Sequence, residues 1–238
     1  MDKILDKEIQ YNKLQILGKL TASLAHEIRN PLSALKLNLD FLTLSSEHLN
    51  AEENECLKAC IESADRIQNL METTLDFSRR PSKDFNLCNL NEIIHQALEI
   101  LDGAVKRRNI KVEQKLSHSL PHLNLNKNMI LQVILNLITN AIDASENHST
   151  IFLRTFIGSG DIHFEVEDNG VGIKEEDKTN IFTDFYTSKT KGTGLGLSVC
   201  KMLLNIHSAK IDFRSTEGKG SCFYVTFPKQ ITEDYNET

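Results

Sequence analysis

Apolar residues recur at steps of three and four along the first part of the chain. This spacing places them on one face of an α-helix. The sequence therefore predicts one long amphipathic helix that ends near Ser45. The positions are Leu14, Leu17, Leu20, Leu24, Ile28, Leu32, Leu35, Leu39 and Leu42.

A second amphipathic helix follows after a short connection. Asn50 and Glu53 resemble a capping box at its start. Arg79-Arg80-Pro81 suits its end, because cations favour a helix C-terminus and proline stops the helix. Its apolar positions are Leu57, Cys60, Ala64, Ile67, Met71 and Leu75.

Two long helices joined by a short connection predict an antiparallel hairpin. A lone hairpin would leave much of both apolar stripes in water, whereas two hairpins can pair into a four-helix bundle. We therefore expect a homodimer. The alternative is a monomer whose stripes pack on the C-terminal part of the chain.

After residue 89 the pattern alternates between helices and strands, which predicts an α+β sandwich, a mixed sheet with helices on one face. The predicted domains are a helical lead-in at 1–14, the two-helix domain at 15–81, a linker at 82–89, the sandwich at 90–229 and a polar tail at 230–238. Helices are predicted at 91–108, 127–145 and 193–206. Strands are predicted at 111–116, 150–157, 161–167, 210–215 and 221–227.

Composition excludes several classes of protein. The net charge of -6 over 238 residues disfavours nucleic acid or an anionic membrane as the main partner. The five cysteines are odd in number and lack paired metal-ligand spacing, which indicates reduced thiols. No apolar run is long enough to span a bilayer, and the N-terminus is not a signal peptide. We therefore expect a cytoplasmic protein.

The first helix carries a candidate phosphoryl acceptor, His26. It lies off the leucine stripe, and a neutral imidazole has a lone pair that can attack phosphorus. Glu27 can accept the proton that is lost, and Asn30, four residues from His26, can orient a water for hydrolysis. Pro31 should kink the helix just beyond. The alternative is an ordinary solvated histidine.

Three further motifs suggest an ATP site. Asn136 and Asn140 share one helix face, and an amide oxygen suits the Mg2+ that accompanies ATP. Asp168 follows a strand and can accept a hydrogen bond from the amine of adenine, a contact that guanine cannot make. Gly170 and Gly172 permit close approach of a flat ligand. Each motif by itself could be solvent-facing residues or an ordinary loop.

The third motif is a glycine-rich segment that opens a helix and can bind phosphates through backbone N–H groups. Its residues are Gly192, Thr193, Gly194, Leu195 and Gly196. The preceding loop, 174–191, is either a mobile lid over ATP or a plain surface loop. In it we expect Phe182, Phe185 and Tyr186 to pack the loop down and Lys189 to reach the terminal phosphate.

Together and in this order, these motifs resemble the transmitter region of bacterial sensor histidine kinases. The histidine box is His26-Glu27-Ile28-Arg29-Asn30-Pro31-Leu32, and the remaining boxes are Asn136 to Ala141, Asp168 to Ile173, Phe182 to Lys189, Gly192 to Leu197 and Gly218-Lys219-Gly220-Ser221. The resemblance covers residues 15–228. It implies a GHKL-type ATP-binding domain after a dimerisation and phosphotransfer domain, with ATP and Mg2+ as cofactors.

The resemblance also implies roles. His26 takes the γ-phosphate and passes it to an aspartate on the receiver domain of a response regulator, with Glu27 as the base. Asn30 supports dephosphorylation of the regulator. Asn140 ligates Mg2+ beside Asn136, and Asp168 reads adenine. Asp143 (in place of a basic residue), Asp184 (in place of proline) and Ser208-Ala209 (in place of Gly-Gly) depart from the family pattern.

Other functions stay open at this point. The chain could be a GHKL ATPase or serine kinase, a non-catalytic scaffold that binds ATP, or mainly a phosphatase. No sensor is evident, so we expect regulation by a partner protein, by the N-terminal helix or by a domain outside this sequence. In lacking a sensor the chain resembles the cytosolic nitrogen-regulator and flagellar kinases.

Overall fold

The computed structural model describes residues 28, 30–44, 49–78, 84–187, 189 and 194–228. The chain divides into two compact units, Met1–Pro81 and Ser82–Thr238. The predicted lead-in at 1–14, the helix end at Arg79-Arg80-Pro81 and the polar tail at 230–238 lie outside the described residues.

The described part of the first unit contains two helices, α1 at residues 30–44 and α2 at Ala51–Ser78. The capping box at the start of α2 is confirmed. The Asn50 N–H donates to Glu53 Oε2 at 2.8 Å, and the Glu53 N–H donates to Asn50 Oδ1 at 2.9 Å. These two bonds satisfy backbone N–H groups that a helix start otherwise leaves without partners.

The leucine stripe of α1 divides into two alternating sets. Leu32 and Leu39 are buried in a small core with Leu57 and Ala64 of α2. Ile28, Leu35 and Leu42 lie between or beside them in sequence but stay 44 to 48% exposed. The hairpin therefore buries only part of its apolar stripe.

The described part of the second unit contains a five-stranded mixed sheet, a two-stranded sheet and three helices. The elements are β1 (Asn86–Cys88), α3 (Leu90–Arg107), β2 (Lys111–Leu116), β3 (Leu123–Leu125), α4 (Lys127–Ala144), β4 (Thr150–Gly158), β5 (Asp161–Asp168), a 3-10 turn (Glu175–Asp177), α5 (Gly196–Ile206), β6 (Lys210–Thr216) and β7 (Gly220–Phe227). The large sheet has the order β2-β4-β5-β7-β6, with β2 parallel to β4 and the other neighbours antiparallel.

The core of this unit lies between the helices and one face of the sheet. Alternate residues of β5 are buried, which matches the two-residue period of a strand with one covered face. Helix α4 contributes the most buried positions: Met129, Ile130, Val133, Ile134, Leu137, Ile138, Ala141 and Ile142. Helices α3 and α5 both contact α4. The predicted α+β fold is confirmed.

A buried histidine joins the end of α5 to the start of α4. The Asn126 N–H donates to His207 Nε2 at 3.0 Å, so Nδ1 carries the ring proton and donates to the Leu203 carbonyl at 2.8 Å. Asn126 also caps α4, because its side chain accepts from the Met129 N–H. The next residue, Ser208, has a φ of 56°, a conformation that glycine adopts at lower cost.

The structure corrects two boundaries. Residues 82–89 are not all linker, because Asn86–Cys88 pair antiparallel with the unpredicted strand Leu123–Leu125. Helix α5 begins at Gly196, later than the predicted residue 193, and Leu195 is its cap. Within the described part of the chain, no helix is long and apolar enough to cross a membrane.

Candidate functional site

Asp168 is a buried carboxylate at the end of β5. It is 4% exposed, and its Oδ1 accepts hydrogen bonds from the N–H groups of Gly170 at 2.9 Å and Ser221 at 3.3 Å. Burial raises the pKa of this carboxyl, and the two backbone bonds act in the opposite direction. Because both bonds fall on one oxygen, the other oxygen can accept from a ligand.

The loop after Asp168 lies directly against the C-terminal end of α4. The Val171 N–H donates to the Ala144 carbonyl at 3.1 Å. A Cβ on Gly170 would lie 2.1 Å from that same oxygen. Gly170 therefore lets the loop and the helix end approach each other, whereas the sequence predicted that it would let a flat ligand approach.

The turn between β6 and β7 forms another wall beside Asp168. A Cβ on Gly220, whose φ is 103°, would lie 2.0 Å from the Asp168 carbonyl, and one on Gly172 would lie 2.1 Å from the Thr216 carbonyl. The Ser215 hydroxyl accepts from the Ile173 N–H at 2.9 Å. Ser215 is a supporting residue that the sequence motifs did not identify.

Asn136 and Asn140 lie half-buried on one face of α4, as predicted. Asn136 Nδ2 donates to the Gly196 carbonyl at 3.4 Å, so this asparagine lies beneath the N-terminus of α5. The first backbone N–H groups of a helix have no partner within the helix itself, and groups of this kind can bind phosphate. Gly194 has a φ of 69°, and Leu195 caps the helix.

Lys189 lies at this same face of α4. Its Nζ donates to Asn140 Oδ1 at 2.9 Å and to Asp143 Oδ2 at 3.0 Å. Its positive charge also lowers the pKa of Asp168, although less strongly than burial raises it. The structure thus brings Asn140, Asp143 and Lys189 together. The pairing of Lys189 with Asp143 was not anticipated from the sequence.

The aromatic residues of the loop over 174–191 behave differently from one another. Phe182 packs edge-on against Phe213 at 5.9 Å, and the Tyr186 hydroxyl donates to the Asp177 carboxylate. Phe185 does not pack the loop down, because it is 75% exposed with a φ of 64°. A Cβ on Gly194 would lie 2.3 Å from the Phe185 carbonyl carbon, so the backbone of Phe185, not its ring, contacts the glycine-rich segment.

Arg108 holds the end of α4 in place. Its guanidinium donates to the carbonyls of Ile142 at 2.7 Å and Ser145 at 3.1 Å. These carbonyls belong to the last turn of the helix, where they lack intrahelical partners. Arg108 therefore fixes the turn that carries Asp143 and lies one turn beyond Asn140. No sequence motif pointed to it.

The predicted residues of the first unit are only partly described. Asn30 lies in α1 and is exposed, as a residue that positions water must be. His26 and Glu27 lie outside the described residues. So do Gly192 and Thr193 of the glycine-rich segment.

The donor set near Lys189 fits Mg2+ bound together with phosphates. Mg2+ prefers oxygen ligands and usually takes only one or two from the protein, the others coming from water and phosphate. Asn140 and Asp143 present an amide and a carboxylate oxygen to one cation, the Lys189 ammonium. Among the described residues there is no cluster of three or more His, Cys, Asp or Glu side chains able to hold a metal by themselves.

Known protein families match both units of the chain. The family described as "His Kinase A (phospho-acceptor) domain" matches residues 16–83, and "Histidine kinase-, DNA gyrase B-, and HSP90-like ATPase" matches residues 126–231. Sensor histidine kinase ZraS of Escherichia coli (strain K12) is 31% identical over 227 residues, which are 95% of this chain and 49% of that protein. The chain thus spans about half the length of this relative.

The chain is also similar to solved structures of histidine kinases. The catalytic domain of histidine kinase ThkA is 32% identical, with a TM-score of 0.56 over 61% of this chain and 96% of that one. Histidine kinase ThkA in complex with response regulator TrrA is 26% identical, with a TM-score of 0.63 over 95% of this chain and 66% of that one. The motifs, the fold and these similarities agree, and the chain belongs to the sensor histidine kinases as a transmitter region, a phospho-acceptor domain followed by an ATP-binding domain.

Proposed function

We propose that the chain is an ATP-dependent protein-histidine kinase that phosphorylates its own His26 and passes the phosphoryl group to an aspartate of a response regulator. The observation that carries the proposal is Asp168, a buried carboxylate with one oxygen held by the Gly170 and Ser221 N–H groups. The other oxygen can accept from the exocyclic amine of adenine. Guanine has a carbonyl at that position, so the site favours ATP over GTP.

The remaining residues of the ATP site serve its phosphates. The N-terminus of α5, with Gly194, Leu195 and Gly196, offers backbone N–H donors, and Asn136 supports that end of the helix. Asn140 would hold Mg2+, which would supply positive charge to neutralise the phosphates. We assign Gly192 and Thr193 to the same phosphate-binding segment.

The chemistry at His26 is an in-line displacement. A ring nitrogen of His26 attacks the γ-phosphorus, the bond to the bridging oxygen of ADP breaks, and Glu27 takes the ring proton. In the second step an aspartate oxygen of the regulator displaces the imidazole from phosphorus. Asn30, which is exposed in α1, would orient the water that later hydrolyses the regulator's acyl phosphate.

We further propose that the protein acts as a homodimer on a receiver domain in the cytoplasm, where ATP is available. The exposed set Ile28, Leu35 and Leu42 supports dimerisation, because its spacing of seven is that of a helix–helix seam. The relative ThkA was solved with a response regulator, which supports a partner of that class.

The test is incubation with γ-labelled ATP and Mg2+ of the wild type and of His26→Gln. We expect acid-labile, base-stable label on the wild type only, since phosphohistidine has that stability. Acid-stable label, or equal label on both proteins, would contradict the proposal and favour a serine kinase. ATP binding without any label would favour a scaffold.

A further inference from the structure

The Lys189 ammonium occupies a cation site built from two oxygens of α4. Asn140 Oδ1 lies 2.9 Å and Asp143 Oδ2 lies 3.0 Å from Lys189 Nζ. Residues three apart on a helix share a face, which is why both oxygens reach one cation. Neither partner is deeply buried, since the Lys189 and Asp143 side chains are 38% and 47% exposed. The site is therefore open to exchange with ions from solvent.

We propose that Lys189 and Mg2+ compete for this site, so that Mg2+ arriving with ATP releases Lys189 toward the phosphates. The inference rests on the proposed function, because it concerns the same nucleotide site. The inference adds a role for Asp143. This residue positions Lys189 beside Asn140, the asparagine that we expect to ligate Mg2+.

The two cations cannot share the site. Mg2+ binds oxygen at about 2.0–2.1 Å in a nearly octahedral shell. An ammonium hydrogen-bonded to the same Asn140 oxygen would lie within a few ångströms of the metal, where like charges repel. A carboxylate is also the ligand that Mg2+ prefers over a neutral amide, so Asp143 attracts the incoming metal as well as the lysine.

The exchange couples Mg2+ to the binding of phosphate. Without a divalent cation, ATP meets the negative charge of Asp143, and the lysine that could neutralise its phosphates is engaged by that carboxylate. With Mg2+, the carboxylate faces the metal and Lys189 is free. A site with only the Asn140 amide would not repel the phosphates of ATP in the absence of Mg2+. Asp143 should therefore increase the dependence of nucleotide affinity on Mg2+.

The first measurement is the dissociation constant of AMP-PNP, with Mg2+ and with EDTA, by calorimetry on the whole chain. We expect Asp143→Asn to lower the ratio of the EDTA value to the Mg2+ value by about fivefold, the effect of one half-exposed charge near the phosphates. Asp102→Asn is the matched control. It removes the same charge from another helical Asp–Lys pair, at 2.8 Å from Lys106, and should leave the ratio unchanged.

The second measurement is Mn2+ binding without nucleotide, by electron paramagnetic resonance. Lys189→Gln should bind Mn2+ more tightly than the wild type, because the competing ammonium is gone. Adding Asp143→Asn to that variant should remove the gain. Equal Mn2+ affinity in the wild type and Lys189→Gln would overturn the competition.

The outcomes separate this inference from the proposed function. Failure of the wild type to bind AMP-PNP under either condition would overturn the proposed function. Binding with the same Mg2+ dependence in the wild type and Asp143→Asn would overturn this inference and leave the kinase assignment intact.

Discussion

At the scale of single residues, Asp168 illustrates a conflict between stability and function. Its burial raises the pKa of the carboxyl, so the ionised form costs the folded state free energy despite two backbone hydrogen bonds. The same burial would give its other oxygen a strong, directional hydrogen bond from a ligand donor, because water competes little there. The folded chain thus keeps a charged acceptor where a neutral one would be more stable.

Asp168→Asn should therefore weaken nucleotide binding and raise the free energy of unfolding. The amide can keep its oxygen on the Gly170 and Ser221 N–H groups, but it turns N–H donors toward the adenine amine. We expect the affinity for AMP-PNP to fall about 100-fold, as for loss of a hydrogen bond to a charged group. Calorimetric titration of both proteins measures this change.

The stability gain has a predicted pH dependence. The free-energy cost of the buried carboxylate is fully present above the raised pKa of the folded protein. It is absent below 3.8, the pKa of the carboxyl in the unfolded chain. The difference in unfolding free energy between Asp168→Asn and the wild type should thus be positive at pH 7 and shrink as the pH falls. Urea denaturation across this range measures it, and a variant that is less stable at pH 7 would contradict the account.

At the scale of elements, α4 organises the ATP-binding domain. Its buried face supplies half of the buried positions of the three helices, its other face carries Asn136, Asn140 and Asp143, and its last turn meets the loop after β5. Two devices fix that turn: the Arg108 guanidinium on its carbonyls and the Val171 N–H on the Ala144 carbonyl. The second device depends on the loop after β5 coming very close to the helix.

Gly170→Ala should break this junction. The new Cβ would lie 2.1 Å from the Ala144 carbonyl oxygen, a backbone atom that cannot rotate away. We expect a loss of about 3 kcal/mol in unfolding free energy, at the upper end for overpacking, together with weaker nucleotide binding. Urea denaturation and AMP-PNP titration measure the two effects.

Gly218→Ala is the matched control, because Gly218 is constrained only by its backbone conformation. Its φ is 73°, and nothing lies within 4 Å of the built Cβ. Backbone strain alone should cost about 1 kcal/mol. Equal losses for the two variants would mean that close approach at Gly170 does not matter.

At the scale of the whole molecule, the first unit contains more apolar surface than one hairpin buries. Leu32 and Leu39 face α2, whereas Leu35 and Leu42 are 47% and 48% exposed. Both pairs repeat every seven residues, as the two seam positions of a bundle helix do. We interpret the first pair as the seam within a hairpin and the second as the seam between two copies.

Leu35→Ser combined with Leu42→Ser should dissociate the dimer. A buried leucine contributes about 2 kcal/mol, and the pair occurs twice in a dimer, so the dissociation constant should rise at least about 100-fold. Sedimentation equilibrium gives the constant. Leu37→Ser with Leu44→Ser is the control, since these leucines are 72% and 84% exposed on the opposite side of α1. Equal weakening by both pairs would contradict the assignment of the seam.

Local signals in the sequence account for most of the fold. Helix α4, strand β2 and the hairpin of β4 and β5 were predicted to within about a residue, because hydrophobic period, caps and glycine turns act over a few neighbours. The Asn50–Glu53 capping box is of the same kind. The motif residues Asn136, Asn140 and Asp168 were also singled out from the sequence, since each motif is contiguous along the chain, and their roles in binding ATP stay predictions.

Only the tertiary structure decided the contacts between distant segments. The strands Asn86–Cys88 and Leu123–Leu125 are too short to show a period, and they exist because they pair with each other. The contacts of Lys189 with Asp143, of Arg108 with the end of α4, and of Ser221 with Asp168 join residues far apart in sequence. The sequence by itself determined which elements form and which motifs they carry, because those depend on neighbouring residues. The packing of the elements determined which charges meet at the site, because that depends on distances that no local pattern encodes.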